Sequence, residues 1–133
     1  MNKMLFIKGT YWLGIGADAL WAVGLFFPSV FALLVGRPDF NVDLQVRLAM
    51  GVGGSLMIGW TFLLFWAVLE PIERRGVLLL TACPVIVGIF TMALLGVING
   101  NTSSLWILAK TFILFIAMLC SYYFAWKMDR QGT

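Results

Sequence analysis

The stretch GIGADALWAVG, residues 14–24, places a single carboxyl group, that of Asp18, inside a long run of apolar residues. The run extends from about Tyr11 to Val35 and contains no other charged side chain. As a helix it is long enough to cross the roughly 30 Å hydrocarbon core of a bilayer. An acid in such a segment costs at least about 2.5 kcal/mol on insertion scales, so we expect Asp18 to face the interior of a helix bundle.

The overall composition also indicates a protein that is embedded in lipid. Of the 133 residues, 62% are hydrophobic and only 11% are charged, whereas a soluble domain carries about 25% charged residues. A small soluble domain buries too little of its surface to hide so much apolar area. The net charge of +3 is scattered along the chain, which excludes the basic stripe of a nucleic-acid binder. The expected partners are the lipid bilayer and either a second copy of the chain or another membrane subunit, with no nucleic acid.

Three further apolar runs follow the first, at about 48–69, 76–98 and 105–126. Short polar segments separate the four runs, namely GRPDFNVD (36–43), EPIERR (70–75) and NGNTSS (99–104). Because such short connections join antiparallel neighbours, the sequence predicts an all-α, antiparallel four-helix bundle integral to the membrane. We expect a single transmembrane domain over residues 1–133, with spans at about 11–35, 48–69, 76–98 and 105–126.

Basic side chains lie mostly on one side of the predicted membrane. By the positive-inside rule, we expect a multi-pass protein of the inner (cytoplasmic) membrane with both termini in the cytoplasm. The first run continues too far beyond the sequence ADA (17–19) to be a cleaved signal peptide, so we expect it to be retained. The cytoplasmic side holds Lys3, Lys8, Arg74, Arg75, Lys127 and Arg130, and the other side holds Arg37 and Arg47, with Lys110 in the fourth span nearer to it.

Asp18 lies about 12 Å from the cytoplasmic edge of the predicted first span. At that depth the other spans offer hydrogen-bonding side chains, and a neutral carboxyl avoids most of the cost of a buried charge. A structural hydrogen bond, which would make Asp18→Leu destabilising, and a site for a proton, an ion or a ligand both remain open. The candidate site residues around the carboxyl are Asp18, Trp21, Trp60, Thr61, Ser121 and Tyr122.

Two basic residues near the opposite side complete the candidate set. Arg47 lies at the edge of its span, close to Asp39 and Asp43, where it is expected to anchor the interface or join a salt bridge in the loop. Lys110 lies about 8 Å inside the fourth span, and its long side chain can extend outward to the interface. A direct pair between Asp18 and Lys110 would have to close an axial gap of about 10 Å in a 30 Å core and is not favoured.

Small and polar residues at helical spacing predict the faces that pack together, because they permit close backbone approach in lipid. The predicted faces are Tyr11, Gly14, Asp18, Trp21, Leu25 and Pro28 on the first span; Arg47, Gly51, Gly54, Ser55 and Gly59 on the second; Thr81, Pro84, Gly88 and Thr91 on the third; and Trp106, Lys110, Ile113, Ala117 and Cys120 on the fourth. We also expect Pro84 to distort the third span.

The sequence offers little catalytic chemistry. Histidine is absent, and the two cysteines, Cys83 and Cys120, lie far apart with no metal-type spacing. No nucleophile lies beside a base, as covalent catalysis would require. We therefore expect a protein that is not an enzyme and that holds no cofactor or metal.

The segment GWTFLLFWAVLEPIERRGVLLLTACPVIVG, residues 59–88, resembles part of an uncharacterised family of small four-span bacterial membrane proteins. That resemblance implies the architecture and carries no activity. The plan of four short spans with an acid in the first is also similar to the small multidrug-resistance transporters, which have a glutamate where this chain has Asp18. The second likeness is one of architecture only.

Three classes of function remain open. The first is a non-enzymatic accessory or structural membrane subunit. The second is a small oligomeric transporter or channel that uses Asp18 as its coupling group. The third is a binder of a lipid or quinone-like apolar ligand between the helices, with Trp21, Trp60, Phe62 and Tyr122 lining the pocket.

Overall fold

The computed structural model describes residues 2–36, 42–100 and 104–132, and these residues are helical with no strand among them. Three segments are long enough and apolar enough to cross a membrane: Leu44–Leu69, Gly76–Ile98 and Ser104–Gln131. The helices are α1 (Lys3–Phe26), α2 (Pro28–Val35), α3 (Leu44–Leu69), α4 (Gly76–Leu80), a π-helical segment (Thr81–Ile86), α5 (Val87–Ile98) and α6 (Ser104–Gly132).

The first apolar run is not one helix, so the predicted span at 11–35 is wrong. Helix α1 begins at Lys3 and ends at Phe26, and α2 begins at Pro28. Phe27 between them is extended, with φ −117° and ψ 98°. Proline lacks an amide hydrogen and disfavours helical geometry in the residue before it, so Pro28 ends one helix and starts the next.

The other three runs lie close to where the sequence predicts them. Helix α3 begins at Leu44, where the Asp43 carboxylate accepts a hydrogen bond from the Val46 amide at 2.8 Å. The third run is distorted as expected, since Pro84 lies within the π-helical segment between α4 and α5. Helix α6 extends beyond the predicted end at residue 126 and reaches Gly132.

Helix α1 occupies the centre of the packing. It packs most extensively against α3 and also contacts α2 and α6, while α6 packs against α4, the π segment and α5. Glycines allow two of these close approaches. A Cβ atom at Gly14 would lie 2.7 Å from Met118 Cε, and one at Gly54 would lie 2.8 Å from Phe26 Cε2.

Helix α6 presents a different face to the bundle from the predicted one. Its buried residues are Ser104, Thr111, Met118, Ser121 and Ala125, separated by seven, seven, three and four positions, as expected of a helix that packs along its whole length. The predicted face is wrong because it was chosen by residue type: Trp106 and Ile113 on it are exposed, and so is Cys120.

We call the end of the bundle that holds Lys3, the 70–75 connection and Gly132 the basal end. Polar contacts join the helices there. The Tyr11 hydroxyl donates to the Arg74 carbonyl at 3.1 Å, and the Ser121 hydroxyl donates to Thr10 Oγ1 at 2.7 Å. Arg75 forms a salt bridge with Asp129 at 2.9 Å. These contacts tie α1 and the 70–75 connection to the basal half of α6.

The glycines of α3 provide a matched test of this packing. We expect Gly54→Leu to reduce the free energy of unfolding by about 1–3 kcal/mol, because a side chain there would press on Phe26 and Leu25. Gly59→Leu is the control, because a Cβ atom at Gly59 meets nothing within 4 Å and leucine favours the helix by up to about 1 kcal/mol over glycine. Thermal unfolding in mild detergent measures both variants. Equal melting temperatures would contradict the packing of α1 on α3.

Candidate functional site

Asp18 lines a partly open cavity of about 160 Å³ between α1, α2, the π segment, α5 and α6. The residue is 5% exposed, although it belongs to an otherwise apolar stretch of α1. We call this space the Asp18 cavity. Its walls come from α1 (Gly14, Ala17, Trp21), α2 (Leu34), the π segment and α5 (Thr81, Val85, Ile89), and α6 (Ile107, Lys110, Thr111).

The carboxyl of Asp18 is not satisfied by the part of the chain that the structure describes. Its Oδ2 atom is buried and has no hydrogen-bond partner there. Leaving a buried polar atom unpaired costs about 1–3 kcal/mol, and more for a charged group. Buried polar groups are paired as a rule, and an exception in a native protein calls for an explanation such as a function.

Two threonine hydroxyls line the same cavity, and their protons are already engaged. Thr81 Oγ1 donates to the Val77 carbonyl at 2.8 Å and accepts from Trp60 Nε1 at 3.1 Å. Thr111 Oγ1 is within hydrogen-bond distance of two carbonyls of its own helix, that of Ile107 at 2.9 Å and that of Leu108 at 3.0 Å. A hydroxyl has two lone pairs besides its proton, so both threonines can still accept a hydrogen bond from a molecule in the cavity.

Lys110 lies at the edge of the cavity and is exposed. Its ammonium lies 4.9 Å from the centre of the Trp106 ring, one turn toward the start of α6. This direction agrees with the expectation that Lys110 extends outward. The structure brings Lys110 and Asp18 to the lining of one cavity, but no salt bridge joins these two described residues, and Asp18 Oδ2 has no partner there.

The predicted polar layer around Asp18 is not formed. The Trp60 indole donates to Thr81, the Thr61 hydroxyl donates to the Met57 carbonyl, and the Ser121 hydroxyl donates to Thr10. Tyr122 packs against the hydrophobic core. None of the four lines the Asp18 cavity; Trp21 does.

The cause of this error is the start of α1. Because the helix begins at Lys3 rather than Tyr11, about 22 Å of helix separates its first residue from Asp18 and only about 12 Å separates Asp18 from Phe26. Asp18 therefore lies at the level of Lys110 and Thr111, while Ser121 lies at the level of Thr10, nearer the basal end.

Thr111 lines the cavity and was not predicted. Its signal in the sequence is that it is a polar residue in an apolar run, next to Lys110. Arg47 is exposed in the first turn of α3 and does not line the cavity, and its predicted neighbour Asp39 lies outside the described residues. Within the described ranges, no group of three potential metal ligands comes together.

A second, more open cavity adjoins the first. It measures about 660 Å³ and runs between the α1–α2 corner and α5 with the start of α6. We call it the lateral groove. Four residues line both spaces, namely Trp21, Val85, Ile89 and Ile107. The groove alone is lined by Phe31, Val35, Gly88, Met92, Ala93, Gly96 and Ser104.

Comparison with protein-family models, with curated proteins and with solved structures gave no match to this chain. The resemblance of residues 59–88 to small four-span bacterial proteins therefore rests on those residues alone. The geometry around Asp18 is what bears on function.

The unpaired carboxyl makes a direct prediction about stability. We expect Asp18→Leu to unfold at a temperature equal to or higher than that of the parent, because it removes a buried polar atom without leaving Thr81 or Thr111 unsatisfied. This reverses the expectation of a structural hydrogen bond. Asp18→Asn, which keeps a polar group, should match the parent. Thermal unfolding in detergent without added ligand measures the three proteins, and a clear loss in Asp18→Leu would show that the carboxyl has a structural partner.

Proposed function

We propose that this chain is a non-enzymatic, four-helix protein of the inner membrane that binds a small ligand between its helices at Asp18. The observation that carries the proposal is the Oδ2 atom of Asp18, which is buried, has no hydrogen-bond partner among the described residues and belongs to a residue that lines a cavity. A buried group that lowers stability is typical of a functional site, where local rules of stability are broken.

In this proposal α1 is a fourth membrane span beside the three candidate spans. Helix α1 runs from Lys3 to Phe26, about 36 Å, and packs against α3 and α6 along the bundle. It carries Lys3 and Lys8 at the basal end, where Arg74, Arg75 and Arg130 also lie. The excess of basic residues at that end supports a cytoplasmic location for it.

Cysteine labelling tests the orientation. In a background with Cys83 and Cys120 replaced by alanine, we place a cysteine at Glu73 or at Asn99, both of which are exposed. A membrane-impermeant maleimide applied to spheroplasts should label the Asn99 variant and leave the Glu73 variant unlabelled until the membrane is permeabilised. The opposite pattern would overturn the orientation, and labelling of both sites in intact membranes would overturn the span count.

The size and the chemistry of the cavity define the kind of ligand. Its volume, about 160 Å³, is close to that of an engineered protein cavity that holds benzene, about 150 Å³. Apolar residues form most of the wall, and the polar groups are Asp18, Thr81, Thr111 and Lys110. A ring-sized molecule with one polar group therefore matches the space, with the polar group at the carboxyl.

The chemistry expected of the site is binding without bond rearrangement. A neutral carboxyl can donate one hydrogen bond and accept others, and the threonine lone pairs add acceptors. Lys110, whose ammonium lies 4.9 Å from the centre of the Trp106 ring, supplies a cation at the edge of the cavity. This set can orient a polar group, but it offers no nucleophile activated by a base.

Binding of para-fluorobenzamide to the protein in lipid nanodiscs, followed by fluorine NMR, tests the proposal. We expect saturable binding that weakens about tenfold in Asp18→Leu, since the loss of a hydrogen-bonded partner costs about 1.4 kcal/mol. Gly59→Leu is the control variant and should bind as the parent does, and fluorobenzene should not distinguish Asp18→Leu from the parent. Equal affinity of all three proteins for the benzamide, or no saturable binding, would exclude the proposed site.

A small oligomeric transporter or channel with Asp18 as its coupling group is the second candidate. The π-helical segment in the cavity wall favours it, because π-helical turns occur frequently at functional sites. The two candidates differ in one respect that proteoliposomes reveal: a transporter moves the bound molecule across the membrane in an Asp18-dependent way, whereas a binder retains it.

A further inference from the structure

The Asp18 cavity adjoins the lateral groove, and Trp21, Val85, Ile89 and Ile107 line both spaces. A molecule that passes between these side chains would extend from Asp18 into the groove. The groove has about four times the volume of the cavity, 660 Å³ against 160 Å³. The larger part of a molecule occupying both spaces would therefore lie in the groove.

The groove has the chemistry of a site for a hydrocarbon chain. Its lining is apolar apart from Ser104, and Gly88 and Gly96 contribute no side chain to it. Met92, on its wall, is 70% exposed, which leaves the groove open on the side that lipid would cover. By the scale of benzene, six carbon atoms in about 150 Å³, its volume exceeds what a ten-carbon chain requires.

The polar end of the combined space offers hydrogen-bonding groups, namely the Asp18 carboxyl and the Thr81 and Thr111 hydroxyls. An anionic group there would face the Asp18 carboxyl. An uncharged group that both donates and accepts hydrogen bonds can pair with the carboxyl, and it can also donate to the lone pairs of Thr81 and Thr111. A primary amide or a hydroxyl has this property.

We infer that the ligand is a single-chain amphiphile whose uncharged, hydrogen-bonding headgroup lies at Asp18 and whose hydrocarbon chain lies in the lateral groove. This inference rests on the proposed function and specifies its ligand class. Apolar packing alone gives no preference for the groove over the bilayer, because lipid tails are as apolar as the groove. The headgroup contacts with Asp18 therefore determine where the chain lies.

The test uses a ten-carbon primary amide with a diazirine at the end of its chain, in nanodiscs of the full chain. After illumination, mass spectrometry of peptides locates the labelled residues. We expect labelling concentrated on the groove around Met92 and Val35, and a decrease of about tenfold there in Asp18→Leu. The same chain with a methyl ester, which has no hydrogen to donate, should give only the weaker labelling of the Asp18→Leu protein.

Two further variants separate a bound chain from lipid that fills the groove at random. Gly88→Leu places a side chain in the groove where its Cβ atom meets nothing within 4 Å, and Gly59→Leu makes the same change at an open position on α3. Only Gly88→Leu should reduce groove labelling.

Labelling that is uniform over the lipid-facing helices, or unchanged in Asp18→Leu and Gly88→Leu, would overturn the inference. If para-fluorobenzamide still bound in an Asp18-dependent way, that result would leave the proposed function in place. Failure of both ligands would reject the two together.

Discussion

The close packing of α1 between α3 and α6 is the constraint on which the rest of the structure depends. Gly14 lets α1 approach Met118 of α6, and Gly54 lets α3 approach the end of α1. These contacts fix the height and the rotation of α1. They therefore fix where Asp18 enters the bundle, which is beside α5 and the first half of α6.

The two halves of the bundle differ in how completely they are packed. Toward the basal end, Tyr11 reaches Arg74 and Ser121 reaches Thr10, and both side chains are fully buried. Beyond Gly14, regular helix is interrupted twice, at Phe27 and at the π-helical segment around Pro84. The two adjoining cavities lie in this half. One half thus supplies stability, and the other supplies a space in which a buried acid can meet a ligand.

The sequence predicted the helical class and most of the helix boundaries, because apolar runs and short polar connections are strong signals. It missed the break at Pro28 and placed the start of α1 wrongly, since hydropathy alone extended the first run through the proline and discounted the segment around Lys3 and Lys8. The face of α1 with Tyr11, Gly14 and Asp18 was predicted correctly, since all three are buried.

The surroundings of Asp18 could not be derived in the same way. They depend on the relative heights of α1 and α6. Because the start of α1 was placed about two turns too late, Ser121 and Tyr122 were predicted beside Asp18, where the structure has Lys110 and Thr111. On α6, residue type selected Trp106, Lys110 and Cys120, whereas the buried residues are Ser104, Thr111, Met118, Ser121 and Ala125. Most residues of this run are apolar on every face, so the sequence pattern does not distinguish the buried face from the exposed one.

In the proposed site the Asp18 carboxyl is neutral, its Oδ2 atom has no hydrogen-bond partner among the described residues, and a ligand in the cavity engages it. Infrared difference spectroscopy of the protein in nanodiscs measures this directly, with the Asp18→Asn variant identifying the carboxyl band. We predict a C=O stretch at the frequency of a carboxylic acid without hydrogen bonds, which moves to lower frequency when para-fluorobenzamide is added. A carboxylate spectrum in the empty protein, or a band that does not respond to the ligand, would contradict the claim.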